Sequence, residues 1–242
     1  VKLNHNDMHK NRFFVSGNIE NKRVVVEDEG IYNQIRNVLR MKKGDGATLL
    51  DGEGRAIDVV IRDIKNNTVT FERLGEVYEV ESKSRPNVAL FCSVLKRENF
   101  ELVCQKATEI GVGSIHPIIC ERTVKLGLKK DRLRKIISEA AEQSGRGDAP
   151  ELYDPVSFPQ SLEGLKGAQN ILFDASGSLE DIKKLKREGE IKIWIGPEGG
   201  WSEEELHMAR LNGFAVISLS GLTLRAETAA IIASYLATYS KF

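Results

Sequence analysis

Two turns near the carboxyl end constrain this chain more than anything else in it. An apolar strand over residues 191–195 runs straight into Gly196, Pro197, Glu198, Gly199, Gly200 and Trp201 and then a helix. A second, over residues 215–219, runs into Ser220, Gly221, Leu222, Thr223, Leu224 and Arg225 before the closing helix from Ala226. Pro197 fixes its own φ and restrains Gly196, while two glycines supply freedom just after it, so the loop is shaped rather than slack. A helix N-terminus with free N–H groups follows each turn at once. α/β proteins build ligand sites in this way at the carboxyl ends of parallel strands. A single glycine after a strand is often only a turn. Leu222 and Leu224 point further, because a connection facing only water would be polar, and they suit the wall of a pocket for a ligand with an apolar or aromatic face.

The rest of the chain separates by pattern. Short apolar runs at residues 13–15, 24–26, 47–50, 56–61 and 68–71 are divided by Gly, Asn and Asp turns, with one helix at residues 31–39, where Ile31, Ile35, Val38 and Leu39 fall at helical spacing. That pattern predicts a small β-barrel. The charged stretch 79–87, with Pro86 near its end, reads as a linker. Beyond it, strands at 88–95, 115–119, 171–173, 191–195 and 215–219 alternate with helices at 100–110, 131–144, near 179–186, 202–212 and 226–239. Such alternation predicts a parallel sheet covered on both faces. The expected fold class is therefore α/β, with residues 1–78 a small β domain, 79–87 a linker and 88–242 the larger domain.

Lys plus Arg and Asp plus Glu are equal at 35 each, so net charge gives no support for a nucleic-acid partner. Local balance says more: residues 1–45 hold nine basic against six acidic side chains, and residues 120–150 eight against five, whereas residues 196–240 hold two against five. This asymmetry suits RNA approaching the first domain and the middle of the chain, and equally a solvated helix face. No apolar run is long enough to span a membrane, and the polar residues 1–10 do not read as a signal peptide, so the cytoplasm is the expected location. Cys92, Cys104 and Cys120 lack close pairing and read as buried thiols. His5, His9, His116 and His207 are scattered, so no metal is expected. G-x-G-x-x-G, the P-loop and G-x-S-x-G are all absent, and no lysine in the residue 196–200 loop is placed to meet a phosphate.

Several blocks together resemble one family. Ile195-Gly196-Pro197-Glu198-Gly199-Gly200, Leu219, and Leu224-Arg225-Ala226-Glu227-Thr228-Ala229 are similar to the signature of the RsmE family of 16S ribosomal RNA uracil-N3 methyltransferases, of the knotted SPOUT class. Lys106 to Val112, Glu139 to Arg146, and Val38-Leu39-Arg40-Met41 with Gly44-Asp45 match further blocks in family order. The resemblance implies a trefoil-knot α/β methyltransferase domain behind a PUA-like β-barrel. It also implies S-adenosylmethionine as cofactor, 16S ribosomal RNA or the 30S subunit as partner, and a homodimer. Loops after Phe173, Ile195 and Leu219 would clasp the cofactor, which assigns Leu172, Phe173, Ile195, Gly196, Pro197, Gly199, Gly200, Leu219, Ser220 and Leu224 to its binding. One departure stands out: where the family reads Leu-Gly-x-Arg-Ile-Leu-Arg, this chain has Leu219-Ser220-Gly221-Leu222-Thr223-Leu224-Arg225, so the role of the first arginine is not carried over.

Uracil N3 carries a proton, which methylation must remove. Arg225, at the start of the last helix, is the expected stabiliser of the resulting anion. Glu198 is the expected base, or else it caps its loop by accepting backbone N–H bonds. Glu227 sits in a helical first turn, where a carboxylate is favoured without any catalytic task. Arg12, Arg36, Arg40, Arg122 and Arg146 are the expected RNA contacts, with solubilising charge or surface ion pairs as the alternative. Two rival readings stay open: a SPOUT methyltransferase for another RNA or a ribose 2′-OH, and a non-catalytic RNA-binding protein, which Leu222 in place of arginine would suit.

Overall fold

A computed structural model describes residues 11–80, 87–124, 127–165, 167–178 and 189–239. The helix expected near residues 179–186 and most of the expected linker lie outside the described residues. The chain divides into two compact units, Val1–Lys83 with Ala141–Ala149, and Ser84–Ala140 with Pro150–Phe242.

The first unit contains β1 (Asn11–Phe14), β2 (Arg23–Val26), α1 (Glu29–Asn33), β3 (Gly46–Leu50), β4 (Arg55–Lys65), β5 (Thr68–Arg73) and β6 (Tyr78–Glu79). Its sheet runs β1-β3-β4-β5-β2, with β6 on β4; β1 is parallel to β3 and the other pairs are antiparallel. Alternation places Phe13, Val24, Val26, Leu49, Ile57, Val59, Ile61, Val69 and Phe71 in a single core. Both outermost strands feed that core, so the sheet is rolled around it. Asp28 starts α1 by accepting the Ile31 N–H at 2.8 Å, and the helix widens into a π-helical turn at Gln34–Val38 that buries only Ile35. Segment Ala141–Ala149 packs into this unit: Glu142 Oε1 accepts the Phe14 N–H at 3.2 Å, and Gly54 N–H donates to Gly147 O at 3.1 Å.

The second unit contains β7 (Asn87–Ser93), α2 (Arg97–Ile110), β8 (Ser114–Ile119), α3 (Lys130–Ser144, ending in the first unit's segment), β9 (Glu151–Leu152), β10 (Val156–Ser157) and α4 (Phe158–Ser161). It continues with β11 (Ala168–Ser178), β12 (Glu190–Ile195), α5 (Glu203–Leu211), β13 (Ala215–Ile217) and α6 (Ala226–Tyr239). All pairings are parallel, in the order β10-β8-β7-β12-β11-β13 with β9 on β8. One face puts Leu90, Cys92, Ile171, Phe173, Ile193 and Ile195 against α2, α3 and α6; the other puts Phe91, Leu172 and Trp194 against α4 and α5. Near-continuous apolar strands are what such double burial requires. Gly111 ends α2 at φ +105, and Ser202 with Glu205 forms a capping box on α5.

Register aligns aromatic rings across the second face. Trp194 pairs with Phe91 and Phe91 with His116, so their rings stack at 4.3 Å, and Tyr153 extends the row on His116 at 4.1 Å. Each such contact contributes roughly 0.5–1.5 kcal/mol beyond burial. The His116 ring is held neutral: burial, then the Lys192 charge, pushes its pKa down to about 4. Its Nε2 lies 2.9 Å from Ser114 Oγ. An unfolded histidine takes up a proton near pH 6.5 that the folded one refuses. Stability is thus expected to fall as pH drops from about 6.5 to about 4. His116→Phe should lose less stability across that window than the wild type, read as the difference between their urea midpoints; parallel midpoint curves would show that His116 does not drive the loss.

Candidate active site

β12 lies between β7 and β11, and β13 borders β11, so the loops leaving β11, β12 and β13 emerge side by side at one end of the sheet. They enclose a cleft of about 730 Å³ with the start of α2 and of α6. β11 runs further than its apolar core suggests. Phe173 and Ser178 both pair with Ile217, so residues 174–177 loop out and return, and Asp174 Oδ1 shapes that loop by accepting from Ser176 N and Oγ at 2.8 and 2.6 Å. Gly177 permits the return: a Cβ there would lie 2.5 Å from the Ile217 carbonyl carbon. Nothing in the sequence pattern singled it out.

The turn after β12 is fixed at every point. Gly200, at φ +72, donates to Pro197 O at 2.9 Å. Gly196 faces the Trp201 ring, which a Cβ would meet at 3.0 Å. The buried Trp201 indole N–H donates to Phe173 O at 3.0 Å, tying this turn to the end of β11. Arg122 Nη1 donates to Gly199 O at 3.0 Å, and a Cβ on Gly199 would meet the Arg122 stem at 3.3 Å. Glu198 is exposed, and its Oε1 accepts the Lys96 N–H at 3.1 Å, where α2 begins without a side-chain cap. Glu198 thus accepts a backbone N–H from the start of α2 and not from its own loop. After β13, the Ser220 hydroxyl serves its own turn, accepting from Leu222 N and donating to Leu222 O.

Phe173, Ile195, Gly196, Pro197, Gly199, Gly200, Leu219, Ser220 and Leu224 all line the cleft, as do Glu198 and Arg225. Leu172 does not: alternating with Phe173, its side chain points to the opposite face and is fully buried beside Trp194. Leu222 lines the cleft but is 82% exposed. The Arg225 side chain is 86% exposed, with Nη1 4.0 Å from Glu227 Oε1. Lys96, Asn99, Asp174 and Glu227 join the lining unforeseen. Glu227 is the least ordinary of these, a carboxylate only 7% exposed whose Oε2 is buried without a partner among the described residues. Its position two residues after Arg225 was legible; its burial was not. Burial holds the Cys92 thiol at the end of β7 well above its ordinary value, so it packs as an apolar group.

The remaining arginines expected to contact RNA lie in the first unit. Arg36 and Arg40 are exposed on and just after the π-helical turn, Arg40 at φ +53, beside an exposed Val38. Arg12 lies over the Gly145 backbone, where a Cβ would meet its guanidinium at 2.4 Å. Arg146 is paired with Asp148 at 3.2 Å, and its side chain is 9% exposed. Among the described residues no cluster of His, Cys, Asp and Glu could hold a metal ion, and no helix is long and apolar enough to cross a membrane.

Residues 82–238 match the RNA methyltransferase domain family, and residues 28–72 match the RNA methyltransferase PUA domain. A ribosomal RNA small subunit methyltransferase E from Synechocystis is 31% identical over 207 residues, 82% of this chain and 67% of that protein. The ribosomal RNA small subunit methyltransferase E 2 of Borreliella burgdorferi is 32% identical over 223 residues, 86% of this chain and 88% of that one. The crystal structure of a ribosomal RNA small subunit methyltransferase E from Neisseria gonorrhoeae, bound to S-adenosyl methionine, superposes with a TM-score of 0.85 at 28% identity, covering 93% of this chain and 95% of that one. The expected fold is the one found, a SPOUT-class α/β unit with a parallel sheet that follows a PUA-like unit in the chain. Matched along both units and at such identity over most of its length, the chain belongs to the RNA methyltransferase family of the ribosomal RNA small subunit methyltransferases E.

Proposed function

We propose that this protein transfers the methyl group of S-adenosylmethionine to N3 of one uridine in 16S ribosomal RNA, in the cytoplasm and as a homodimer. The observation that carries the reading is the cleft made by three loops at the carboxyl ends of adjacent parallel strands, in a chain of this family. The residues present fit the cofactor. The cleft volume, about 730 Å³, lies within the roughly 300–1,000 Å³ usual for small-molecule sites. Phe173, Ile195, Leu219 and Leu224 offer apolar surface for a purine, and Gly196, Gly199 and Gly200 bring bare main chain to the wall. When bound, S-adenosylmethionine supplies an electrophilic methyl group on a sulfonium sulfur.

The chain's own share is orientation, exclusion of water and charge. The bonds from Trp201 to Phe173 and from Lys96 to Glu198 hold the loops in one arrangement before any ligand arrives. Arg225, its side chain exposed at the rim, meets the uracil oxygen that gains charge as N3 loses its proton. Arg36, Arg40, Arg12 and Arg122 face phosphates. Arg146, engaged by Asp148, positions the turn that carries it.

The decisive experiment compares 16S ribosomal RNA from cells with and without the gene by nuclease digestion and mass spectrometry. One 3-methyluridine should vanish with the gene and return with it; loss of a 2′-O-methyl group, or no loss, rules the reading out. Arg225→Ala should lower single-turnover methyl transfer by about 100-fold or more while leaving cofactor affinity within a few-fold, because its partner charge develops only in the reaction. Calorimetric titration of the same variant separates this from a structural role, in which affinity and rate would fall together. Arg36→Ala and Arg40→Ala should each weaken RNA binding and reduce the salt slope by about 1, with cofactor affinity unchanged. An unaltered slope in filter binding from 50 to 200 mM salt would take both residues out of the RNA contact.

A further inference from the structure

We propose that Glu227 is the general base that takes the N3 proton of the target uridine, paired with Arg225 to read the uracil edge; this rests on the uracil-N3 reading above. Glu227 lines the cleft yet is only 7% exposed. Among the described residues its Oε2 is buried with no hydrogen-bond partner, a cost to the fold that a donor entering the cleft would offset. The other carboxylates of the cleft are engaged, Glu198 by the Lys96 N–H and Asp174 by Ser176. Glu227 Oε1 lies 4.0 Å from Arg225 Nη1, which sets an acceptor beside a donor at the rim. Uracil presents the converse, an N3–H flanked by the acceptors O2 and O4. Cytosine, whose N3 bears no proton, does not match. One pair thus selects the base and places the proton against the group that removes it.

The step balances. The N3–H bond breaks, its proton goes to a Glu227 carboxylate oxygen, and the electron pair stays on the ring, with oxygen charge toward Arg225. N3 then bonds to the methyl carbon as the carbon–sulfur bond breaks, leaving both electrons on a sulfur that becomes a neutral thioether. Glu227 returns its proton to water.

The test uses the full-length protein with 30S subunits and S-adenosylmethionine. Glu227→Gln keeps shape and removes the base, and it should slow single-turnover transfer at pH 7 by about 100-fold or more. Its affinity for S-adenosylmethionine in calorimetry should stay within a few-fold of wild type. The gap to wild type should close by about 10-fold per pH unit as solution supplies the uracil anion. A rate equal to wild type, a defect explained by lost cofactor affinity, or a gap indifferent to pH each overturns the assignment. If Glu227→Gln does not fold by circular dichroism, Glu227→Asp serves: it should bind cofactor normally and transfer at least ~10-fold slower, and an unchanged rate overturns the role. Wild-type protein that forms no 3-methyluridine removes the functional reading itself, whereas wild-type activity matched by Glu227→Gln removes only the role of Glu227.

Discussion

The site depends on one hydrogen bond across two loops, from the Trp201 indole to the Phe173 carbonyl. The ring that donates it is buried, packs against Phe158 and leaves room at Gly196 for nothing larger than hydrogen. A buried donor without that acceptor would cost about 1–3 kcal/mol, so the turn after β12 cannot shift independently of the end of β11. The double burial of the sheet works in the same direction. A one-residue slip of β11, β12 or β13 would swap the side chains packed on the two faces, bringing Leu172 and Trp194 against α2 and α6, so packing holds the register and the loops stay together at one end.

Charge is placed sparingly around the resulting cleft. Lys96 and Glu198 meet through main chain and carboxylate, which satisfies an otherwise uncapped helix start and pins the glycine turn at once. Arg225 lies out at the rim, while Glu227 is drawn into the wall. A guanidinium in solvent and a carboxylate out of it differ in what they can exchange: the first moves to charge as it forms, the second meets only what enters the cleft. The Asp148 partner of Arg146 illustrates the other use of charge in this chain, inside a packed turn.

Much of this was legible in residue order. Among the described residues, spacing marked the longer strands and helices, including the stop of α2 at Gly111, because such local preferences act within a few residues; the two-residue strands β6, β9 and β10 and the short α4 carried no such mark. The two glycine-bearing turns marked the cleft, since Gly196, Gly199 and Gly200 sit where side chains would collide or strain. Less legible were contacts formed at a distance. Gly177 matters because the Ile217 backbone passes beneath it, and Arg146 is spoken for by Asp148 in a segment that packs with the first unit. The side of the sheet taken by Leu172 follows from the alternation that buries Phe173 against the helices α2 and α6.

What the sequence by itself determined is the set of elements, their alternation and the two shaped turns, all consequences of side-chain spacing and of the torsions that glycine and proline allow. Tertiary structure alone decided which carboxylate keeps an oxygen unpartnered among the described residues. Glu198 and Glu227 stand alike in sequence, each near a turn and the start of a helix, yet one reaches the backbone N–H of Lys96 before α2 and the other is folded into the cleft wall with an oxygen unmet among the described residues. Burial and hydrogen-bond satisfaction are properties of what surrounds a side chain, and those surroundings come from segments as far as 102 residues away, as for Glu198 and Lys96.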